Sequence, residues 1–448
     1  MLSSVRALAL EAKKASYEMA KLPRSIKDRA LLEIADAIWR EKESLLAAAA
    51  IDVKAAQAEV EAGRLAKPVL ERLKLDEVKL KAVVDMVRSV ASLEDPVGKT
   101  VYAIELDDGF ELYRVTCPLG VIGVVFEARP DVLPQISSLC LKSGNAVILK
   151  GGREAANINR AFYNVIKEAA DKVGIPKGWI QLLEAREEIL ELLKQDDLVD
   201  LIIPRGSNEF VRFVQENTRI PVLGHSSGVC HIYVDKAADL TKAVEVCFDA
   251  KVQYPAVCNA VECILVHKDV AQTFLPKLAE RFVKAGVEMR CCPRAKEALR
   301  GFDVKDATEE DWGREYLDLK VAIRVVDSLE EAIDYINRYG SKHTDSIVTE
   351  DKSAALRFLT SVDSSTVIHN ASTRFSDGYR FGLGAEVGIS TSKIHARGPV
   401  GLEGLVTYKY ILLGNGQIVS TYIGANAKKF KHRRLDKVWN PDTWIAVK

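Results

Sequence analysis

Residues 249–266 place a cysteine where it could act as a nucleophile. Cys258 follows a chain break at Pro255 and precedes an apolar run, residues 260–266, with the composition of a buried strand. A thiol at the mouth of a cleft can attack an activated carbonyl as its thiolate. The alternative is that Cys258 is a small core residue, since free cysteines are among the most buried residue types. Cys263, inside the predicted strand, is interpreted as such a core residue.

Two predicted strand-to-helix turns upstream of Cys258 could bind a nucleotide. In an open α/β sheet, ligands bind outside the carboxyl ends of the strands, and glycines there let the backbone approach a phosphate. The first turn could equally be a strand that simply ends in a lysine, and the single glycine of the second turn is a weak dinucleotide motif by itself. The helix after the second turn offers an N-terminus that suits an anion. The candidate residues are Lys150, Gly151 and Gly152 in the first turn and Arg205, Gly206 and Ser207 in the second.

Further cations could bind an anionic substrate. Arginine presents a fixed fork of donors that matches carboxylate and phosphate groups. The late segment 375–404 is rich in glycine, and a loop of this length is unusual unless it has a binding role. The substrate-binding or phosphate-binding candidates are Arg129, Arg374, His395 and Arg397, whereas Arg380 and Lys393 are predicted to be surface charges. Glu315 could bond a ribose hydroxyl, although a solvated carboxylate is the simpler interpretation.

Alternating strands and helices would position these residues. Short apolar runs alternate with helical segments from residue 118 to residue 228, with residues 220–223 as a fifth strand, and a second such series begins near Cys230. This pattern predicts parallel sheets that are covered on both faces. Residues 1–92 have helical spacing, including one helix within residues 26–50.

Residues 101–117 are predicted to form a hairpin, because two strand-like runs flank Asp107-Asp108-Gly109. Residues 405–413 predict a late strand. An isolated hairpin is only marginally stable, so this one should pair with another part of the chain or with a partner subunit. The basic tail, residues 428–437, is predicted to be a solvated face.

Length and composition exclude several classes of protein. A chain of 448 residues predicts two or three domains. Lys+Arg and Asp+Glu number 63 each, so a general nucleic-acid binder is excluded. The eight cysteines form no CxxC pair and no Cys/His cluster at zinc spacing, which predicts free thiols and no metal site. No secretory signal and no long apolar segment is present, so a cytoplasmic protein without a membrane span is expected.

The order of these motifs resembles the aldehyde dehydrogenase superfamily and, within it, the γ-glutamyl phosphate reductase (glutamate-5-semialdehyde dehydrogenase) family. The chain is also similar to the reductase half of pyrroline-5-carboxylate synthase, without the glutamate-kinase half. The resemblance covers nearly the whole chain. The residues that carry it are Phe126-Glu-Ala-Arg-Pro130, Leu149-Lys-Gly-Gly152, Asp200-Leu-Ile-Ile-Pro-Arg-Gly-Ser207, Tyr254-Pro-Ala-Val-Cys-Asn259, His343-Thr-Asp345 and the long block 370–399.

The resemblance implies an α/β, aldehyde-dehydrogenase-like fold. Its parts would be a Rossmann-type parallel-sheet cofactor domain, an α/β catalytic domain and a β oligomerisation arm. The NADP(H)-binding domain would comprise residues 1–97 and 118–228, with part of 364–398. The catalytic domain would comprise residues 229–363, including Cys258, and the arm residues 98–117 and 400–425.

The activity implied by the resemblance is the NADPH-dependent reduction of L-glutamyl 5-phosphate to L-glutamate 5-semialdehyde and phosphate, the second step of proline biosynthesis. Cys258 would attack the acyl phosphate, and hydride from the nicotinamide would reduce the resulting thioester. The oxyanion would be bound by the Cys258 backbone and by the side chain or backbone of Asn259. The preference for NADPH over NADH rests on the resemblance, with Lys150 as a candidate partner of the 2′-phosphate and Glu315 as a ribose contact.

Two departures from the wider superfamily favour an acyl phosphate over hydrolysis. Hydrolytic members carry a water-activating Glu where this chain has His225, followed by Ser226. The superfamily's oxyanion Asn is also missing, and Arg129 lies nearby instead. His225 and Ser226 are therefore predicted to lie in the substrate or phosphate site. Whether His225 binds phosphate, assists proton transfer or only packs stays open.

The remaining alternatives are a hydrolytic aldehyde dehydrogenase and a non-catalytic scaffold of the same fold. The His225 substitution argues against the first, and the intact Cys258 and loops argue against the second. The exposed edges of the arm predict a homodimer or tetramer. The expected partners are the small-molecule substrate and, functionally, a separate glutamate kinase, with no nucleic acid and no membrane.

Overall fold

The computed structural model describes residues 4–65, 67–127, 129–225 and 227–441 of the 448-residue chain. Its N-terminal part is helical, as the apolar spacing predicts. The predicted helix within 26–50 is two helices, because the chain breaks at Glu41 between them. The helices are α1 (Ser4–Met19), α2 (Arg24–Arg40), α3 (Lys42–Glu61), α4 (Lys67–Leu73) and α5 (Glu77–Ser92).

The first parallel sheet follows an antiparallel hairpin of β1 (Thr100–Asp107) and β2 (Phe110–Pro118). Its strands lie in the order β5-β4-β3-β6, and every neighbouring pair is parallel. The predicted fifth strand at 220–223 contributes only an isolated bridge between Ile202 and Val222. The elements are β3 (Val121–Phe126), α6 (Val132–Lys142), β4 (Ala146–Lys150), α7 (Ala156–Val173), β5 (Ile180–Leu183), α8 (Glu188–Leu192), β6 (Leu201–Arg205) and α9 (Asn208–Glu216).

Apolar packing covers this sheet on both faces, as predicted for a parallel sheet. Side chains of α2, α5, α6 and α7 form the larger core on one face, with Ile122 and Leu149 from the sheet. Side chains of α1 and the segment 189–199 pack on the other face, against Val121 and Ile148. The α/β fold class predicted from the sequence is confirmed here.

The second sheet is seven-stranded, in the order β10-β9-β11-β8-β7-β12-β13, with parallel neighbours throughout. It has its own hydrophobic core, separate from that of the first sheet. The elements are β7 (Cys230–Val234), α10 (Leu240–Val252), β8 (Val261–His267), α11 (Lys268–Lys284), β9 (Glu288–Cys291), α12 (Pro293–Ala298), β10 (Lys305–Asp306), β11 (Lys320–Val326), α13 (Leu329–Tyr339), β12 (Thr344–Val348), α14 (Lys352–Ser361) and β13 (Thr366–His369).

The segment after β13 links both cores. Ala385 and Val387 pack into the core of the first sheet, although β13 itself belongs to the second. A short pair of strands, β14 (Ile389–Ser390) and β15 (Gly398–Pro399), closes the segment. The chain therefore crosses twice between the two sheets, once before Cys230 and once after β13.

The arm is a four-stranded sheet in the order β16-β2-β1-β17. Strand β16 (Val406–Leu413) pairs antiparallel with β2, so the predicted hairpin and late strand are confirmed. The basic tail, predicted to be a solvated face, also contains a strand, β17 (Arg433–Leu435), which pairs with β1. The arm sheet thus extends beyond the 400–425 limit expected from the sequence. Within the described residues no helix has both the length and the apolar character to cross a membrane.

A carboxylate at the end of β1 ties the tail to the arm. The Lys428 ammonium lies 2.5 Å from Asp107, and the Tyr422 hydroxyl donates to it over 2.8 Å. These bonds, with the backbone N–H of Asp108, lower the pKa of Asp107 to about 2. A depressed carboxyl pKa stabilises the folded state above the carboxyl's ordinary pKa, and this contribution is lost as pH falls through about 2.

We therefore predict that Asp107→Asn loosens residues 419–435 without unfolding the sheets, because the tail loses its ionic anchor. Hydrogen exchange at neutral pH should show faster exchange in this tail and unchanged exchange in β3 and β4. Asp108→Asn is the control, since that side chain is 80% exposed and its ion pair with Lys431 is screened by solvent. Equal exchange in Asp107→Asn and the parent chain would contradict the prediction.

Candidate active site

Cys258 lies in the turn that joins α10 to β8, at a cleft between the two parallel sheets. The cleft has a volume of about 680 Å³ and is lined by segments 203–209, 254–259 and 386–389, among others. The side chain of Cys258 is half-buried, whereas Cys263 is 1% exposed inside β8. Burial raises the pKa of the Cys263 thiol to about 12, so that residue is a core thiol. The position of Cys258 matches the nucleophile interpretation.

A glycine from the neighbouring crossover presses against the Cys258 backbone. A Cβ atom on Gly228 would lie 2.2 Å from the Cys258 carbonyl oxygen and 2.6 Å from its Cβ. No side chain fits at those distances. The Cys230 thiol also donates to the Cys258 carbonyl over 3.2 Å. The crossover that leads into β7 therefore fixes the backbone of the cysteine turn.

The predicted oxyanion donors, the Asn259 side chain and the backbone N–H groups of Cys258 and Asn259, differ in whether they are already bonded. The Asn259 side chain is 4% exposed, and its Nδ2 donates to the Ser376 carbonyl over 2.8 Å. That amide connects the cysteine turn to the late segment. Among the described residues, no acceptor is bonded to the backbone N–H of Cys258 or of Asn259. The backbone alternative of the prediction is the one that the geometry favours.

Two arginines lie close enough to Cys258 to interact electrostatically with its thiolate. Burial lowers the pKa of Arg205, with Arg129 as the next cause, and burial likewise lowers the pKa of Arg374. Gly388 has a φ of +143°, and a Cβ there would lie 2.6 Å from Arg205 Nη1, so only glycine admits this guanidinium. Arg374 is oriented by its Nε, which donates to Gln253 over 3.0 Å.

The cleft also contains carboxylates that partly balance these cations. Glu386 accepts the backbone N–H of Gly378 over 2.8 Å, and burial raises the pKa of its carboxyl group. Arg380, predicted to be a surface charge, lines the cleft and pairs with Asp377 at 3.3 Å. Arg380 is exposed, as predicted for a surface charge, although it lies at the edge of the cleft. The cleft can hold an anionic substrate between fixed guanidinium groups.

Two imidazoles lie beside Cys258. The Nδ1–H of His225 donates to the Ile389 carbonyl over 2.7 Å, and burial lowers the pKa of the ring, so it is neutral at neutral pH. The His343 ring contacts it edge to face, with ring centroids 4.8 Å apart. His343 was not among the predicted site residues. The only signal was its presence in the motif His343-Thr-Asp345, which carries no local spacing to Cys258.

The two turns that were predicted to bind the cofactor follow neighbouring strands, at one edge of the first sheet. Lys150 pairs with Val125 and Arg205 pairs with Phe126 in register, so β3, β4 and β6 end together. The Lys150 ammonium is buried, donates to the Gly151 carbonyl, and has a lowered pKa because of that burial. A Cβ on Gly151 would lie 2.2 Å from Asn159 Nδ2, which gives that glycine a packing role. Gly152 follows, and a Cβ there would meet the Glu154 side chain at 2.1 Å.

The second turn is already bonded to a protein carboxylate. Ser207 caps α9, but its own N–H donates to Glu127 Oε2 over 2.9 Å, and Gly206 leaves room for that carboxylate. Glu127 therefore places a negative charge beside this helix N-terminus, which disfavours a second anion there. Glu315 lies in the same cleft, where Asn208 Nδ2 donates to it over 2.8 Å.

Two predicted substrate residues lie outside the cleft. His395 bonds the Gly404 carbonyl through Nε2 over 2.7 Å, and Arg397 pairs with Asp363 at 3.1 Å. Both line a second cavity beside the arm, together with Tyr408. Their contacts hold the loop 390–404, so the structure does not support their assignment to the substrate. Ser226 lies outside the described residues.

The fold and site define a class. A model of the aldehyde dehydrogenase family matches residues 3–291. The glyceraldehyde-3-phosphate dehydrogenase GapN of Methanocaldococcus jannaschii, solved with NADP, shares the fold, with a TM-score of 0.66 at 18% identity over 92% of this chain and 94% of that one. The chain belongs to the aldehyde dehydrogenase family, whose members are oxidoreductases that use NAD or NADP.

More similar relatives carry one name. The γ-glutamyl phosphate reductase of Natronomonas pharaonis is 57% identical over 96% of this chain and 98% of that protein. The one from Methanosarcina mazei is 53% identical over 97% and 98%. The crystal structure of γ-glutamyl phosphate reductase from Thermotoga maritima superposes with a TM-score of 0.88, at 40% identity over 93% of this chain and 100% of that one. Within its family, the chain groups with the γ-glutamyl phosphate reductases.

The contact between Gly228 and Cys258 can be tested with one variant and a matched control. We predict that Gly228→Ala displaces the cysteine turn, lowers turnover about 100-fold and destabilises the fold by about 1–3 kcal/mol. Gly224→Ala is the control, because a Cβ there would meet its nearest neighbour, Pro204, at an ordinary 3.7 Å. Turnover and the rate of Cys258 alkylation by iodoacetamide are the measurements. Similar rates in both variants would show that the contact does not position the thiol.

Proposed function

We propose that the protein reduces L-glutamyl 5-phosphate to L-glutamate 5-semialdehyde and phosphate with NADPH, the second step of proline biosynthesis. The reductase role is supported by named relatives that match the whole chain. The observation that carries the chemistry is the half-buried Cys258 thiol in a cleft with Arg205 and Arg374, at the carboxyl edge of a parallel sheet. The roles of individual residues are inferences from that geometry, whereas the preference for NADPH rests on the resemblance, with Lys150 as its candidate partner.

In the first step, the Cys258 thiolate attacks the acyl carbon of the substrate. The C–S bond forms, the carbonyl oxygen gains negative charge, and the C–O bond to phosphate then breaks as the carbonyl re-forms. The backbone N–H groups of Cys258 and Asn259 would bind the developing oxyanion. Arg205 and Arg374 would bind the departing phosphate, since both lie beside the thiol and a fixed fork suits that group.

In the second step, the thioester on Cys258 is reduced. The hydride for the acyl carbon would come from a nicotinamide cofactor bound in the cleft. The same backbone N–H groups hold the resulting hemithioacetal alkoxide, which then collapses to the aldehyde and returns the thiolate. The carboxyl edge of β3, β4 and β6 fits such a cofactor, because Lys150 and Arg205 end strands there and their positive charges suit its phosphates, while the Glu315 carboxylate in the cleft would accept a ribose hydroxyl. Lys150 is our candidate for recognition of a 2′-phosphate.

Hydrolysis of the thioester is the competing outcome. The family's water-activating carboxylate is replaced by His225, whose Nδ1–H is already bonded to Ile389 and whose pKa is lowered by burial. A thioester that water does not attack can be reduced by hydride or can return to the acyl phosphate when phosphate displaces the thiolate, whereas hydrolysis would release glutamate irreversibly. The substitution therefore favours reversible, phosphate-linked chemistry.

We also propose that the arm pairs with a second copy of the chain. Strand β16 forms one edge of the arm sheet and presents Tyr408, Tyr410 and Leu412, each about half exposed. An unpaired strand edge with apolar side chains is a template for another strand. A homodimer or a tetramer built from this strand pairing is expected, and sedimentation equilibrium measures the oligomeric state.

The acyl phosphate itself must come from a kinase that phosphorylates a carboxylate.

The reverse reaction tests the function. With glutamate semialdehyde and NADP, we expect NADPH formation that requires phosphate, and its loss in Cys258→Ala, because no thioester can form. Cys117→Ser is the control, since that thiol lies in β2 of the arm. Turnover that does not depend on phosphate would favour the hydrolytic alternative. No turnover with any acceptor would favour a scaffold.

The arginines give a second prediction. Arg205→Gln should raise the KM for phosphate in the reverse assay about 10–100-fold, since a charge-assisted hydrogen bond contributes about 1.5–3 kcal/mol. Arg397→Gln is the matched control, because Arg397 pairs with Asp363 away from the cleft. Equal effects of the two substitutions on the KM would contradict the placement of phosphate beside Arg205.

A further inference from the structure

We propose that Cys258, His225 and His343 form a binding site for one Zn²⁺ ion, and that occupation of this site reversibly inhibits the enzyme. The sequence predicts no metal site because its cysteines and histidines have no zinc spacing. The fold nevertheless brings together three ligands, one thiol and two imidazoles, from three distant segments. Their ligand atoms all lie within 4.8 Å of one another. The inhibitory consequence rests on the proposed role of Cys258, whereas the binding itself does not.

The spacing is close to that of a metal site. Zinc takes a sulfur at about 2.3 Å and imidazole nitrogens at about 2.0–2.1 Å, so ligand atoms of a tetrahedral site lie roughly 3.3–3.7 Å apart. From separations of at most 4.8 Å, each pair of atoms must close by at most about 1.5 Å to reach that geometry. Cys258 can supply this movement, because its side chain is half-buried at the cleft and is not packed inside a strand.

Hydrogen bonds already orient both imidazoles for coordination. The Nδ1–H of His225 donates to the Ile389 carbonyl, which leaves the Nε2 lone pair free. Nδ1 of His343 lies 2.9 Å from Thr344 Oγ1 and 3.5 Å from Cys230 Sγ. Coordination through Nε2 requires the tautomer with the proton on Nδ1, and that N–H has acceptors in the Thr344 hydroxyl and the Cys230 sulfur. Ligating histidines in proteins are held in this way by a second hydrogen bond.

His343 has a ring nitrogen that no other group in the described chain bonds. The residue is fully buried, and its Nε2 has no hydrogen-bond partner among the described residues. A buried polar atom without a partner is uncommon and calls for a bound group or a functional role. Coordination to a metal beside Cys258 would satisfy this nitrogen.

The ligand set selects the metal. One thiolate and two neutral imidazoles suit Zn²⁺, and three protein ligands with a fourth position open to the cleft form its usual open site. Binding displaces the thiol proton to solvent. The neighbouring Arg205 and Arg374 repel a dication, so the site should bind zinc reversibly and not as a permanent structural ion. A zinc-bound thiolate cannot attack an acyl phosphate, so substrate and metal exclude each other.

Cobalt titration tests binding without any assay of activity. Co²⁺ added to the metal-free protein should give a thiolate-to-cobalt charge-transfer band in the near ultraviolet, with one equivalent bound. Cys258→Ser should abolish the band, and His343→Asn should weaken binding at least about tenfold. Cys117→Ser, in the arm, should change neither. A band of equal strength in Cys258→Ser, or equal affinity in His343→Asn, would overturn the site.

A second variant and an activity readout complete the test. Should His343→Asn melt below the assay temperature, His225→Asn carries the same expectation, because its ring lies at the cleft and not in the core. In the parent enzyme, Zn²⁺ should inhibit competitively with the substrate, and a chelator should restore full turnover. Cobalt binding without reductase turnover would refute the proposed function alone, whereas turnover without thiolate–cobalt absorption would refute the zinc site alone.

Discussion

The cysteine turn is fixed by contacts from three different parts of the chain. The crossover before β7 brings Gly228 against its backbone, and Cys230 at the start of β7 donates to the Cys258 carbonyl. The late segment accepts the Asn259 amide at Ser376. A thiol at the end of a turn would otherwise sample several positions, and a displacement of about 1 Å can slow a reaction about 100-fold. The relative placement of the two parallel sheets is therefore also what places the nucleophile.

A buried ion pair supports the other wall of the cleft. Lys251, at the end of α10, pairs with Glu262 of β8 at 2.8 Å, and neither side chain is exposed. Glu262 accepts the backbone N–H of Leu317, whose φ is +53°, and Lys251 donates to the Asp318 carbonyl. The pair thus holds the strained turn that follows Glu315. Burial raises the pKa of Glu262 and lowers that of Lys251, so removing either partner would leave an uncompensated buried charge.

Local patterns in the sequence predict most of the fold. Apolar runs such as residues 146–150, bounded by turn residues, are confirmed as fully buried strands, and the Asp-Gly turn is confirmed between β1 and β2. The pattern misjudged residues 220–223, where Pro221 and a single bridge replace a strand. It also missed the tail strand, since exposed basic side chains conceal a backbone that pairs with β1.

The site was only partly predictable, because it depends on contacts between distant segments. Cys258 could be located from the strand that follows it, and Arg205 from the strand that it ends. The glycine-rich late segment suggested a single binding loop, yet Arg374 lies at the cleft and Arg397 pairs with Asp363 elsewhere. Nothing in the spacing of residues relates His343 to Cys258, because most strands of the second sheet lie between them in the sequence. The order of four neighbouring strands, β11-β8-β7-β12, brings the two residues together in space.

The arm has one further consequence for how chains can associate. In the described part of the protein, the arm sheet ends in β16 on one side and in the tail strand β17, which covers the longer β1, on the other. Strand β17 has only 3 residues, two of them arginines, and short, charged edge strands are poor templates for another strand. Two chains that joined through β16 by a twofold axis would form a continuous eight-stranded ribbon whose outer edges are both β17. We expect the tail to disfavour further addition at these outer edges, so that association through β16 would give a closed pair.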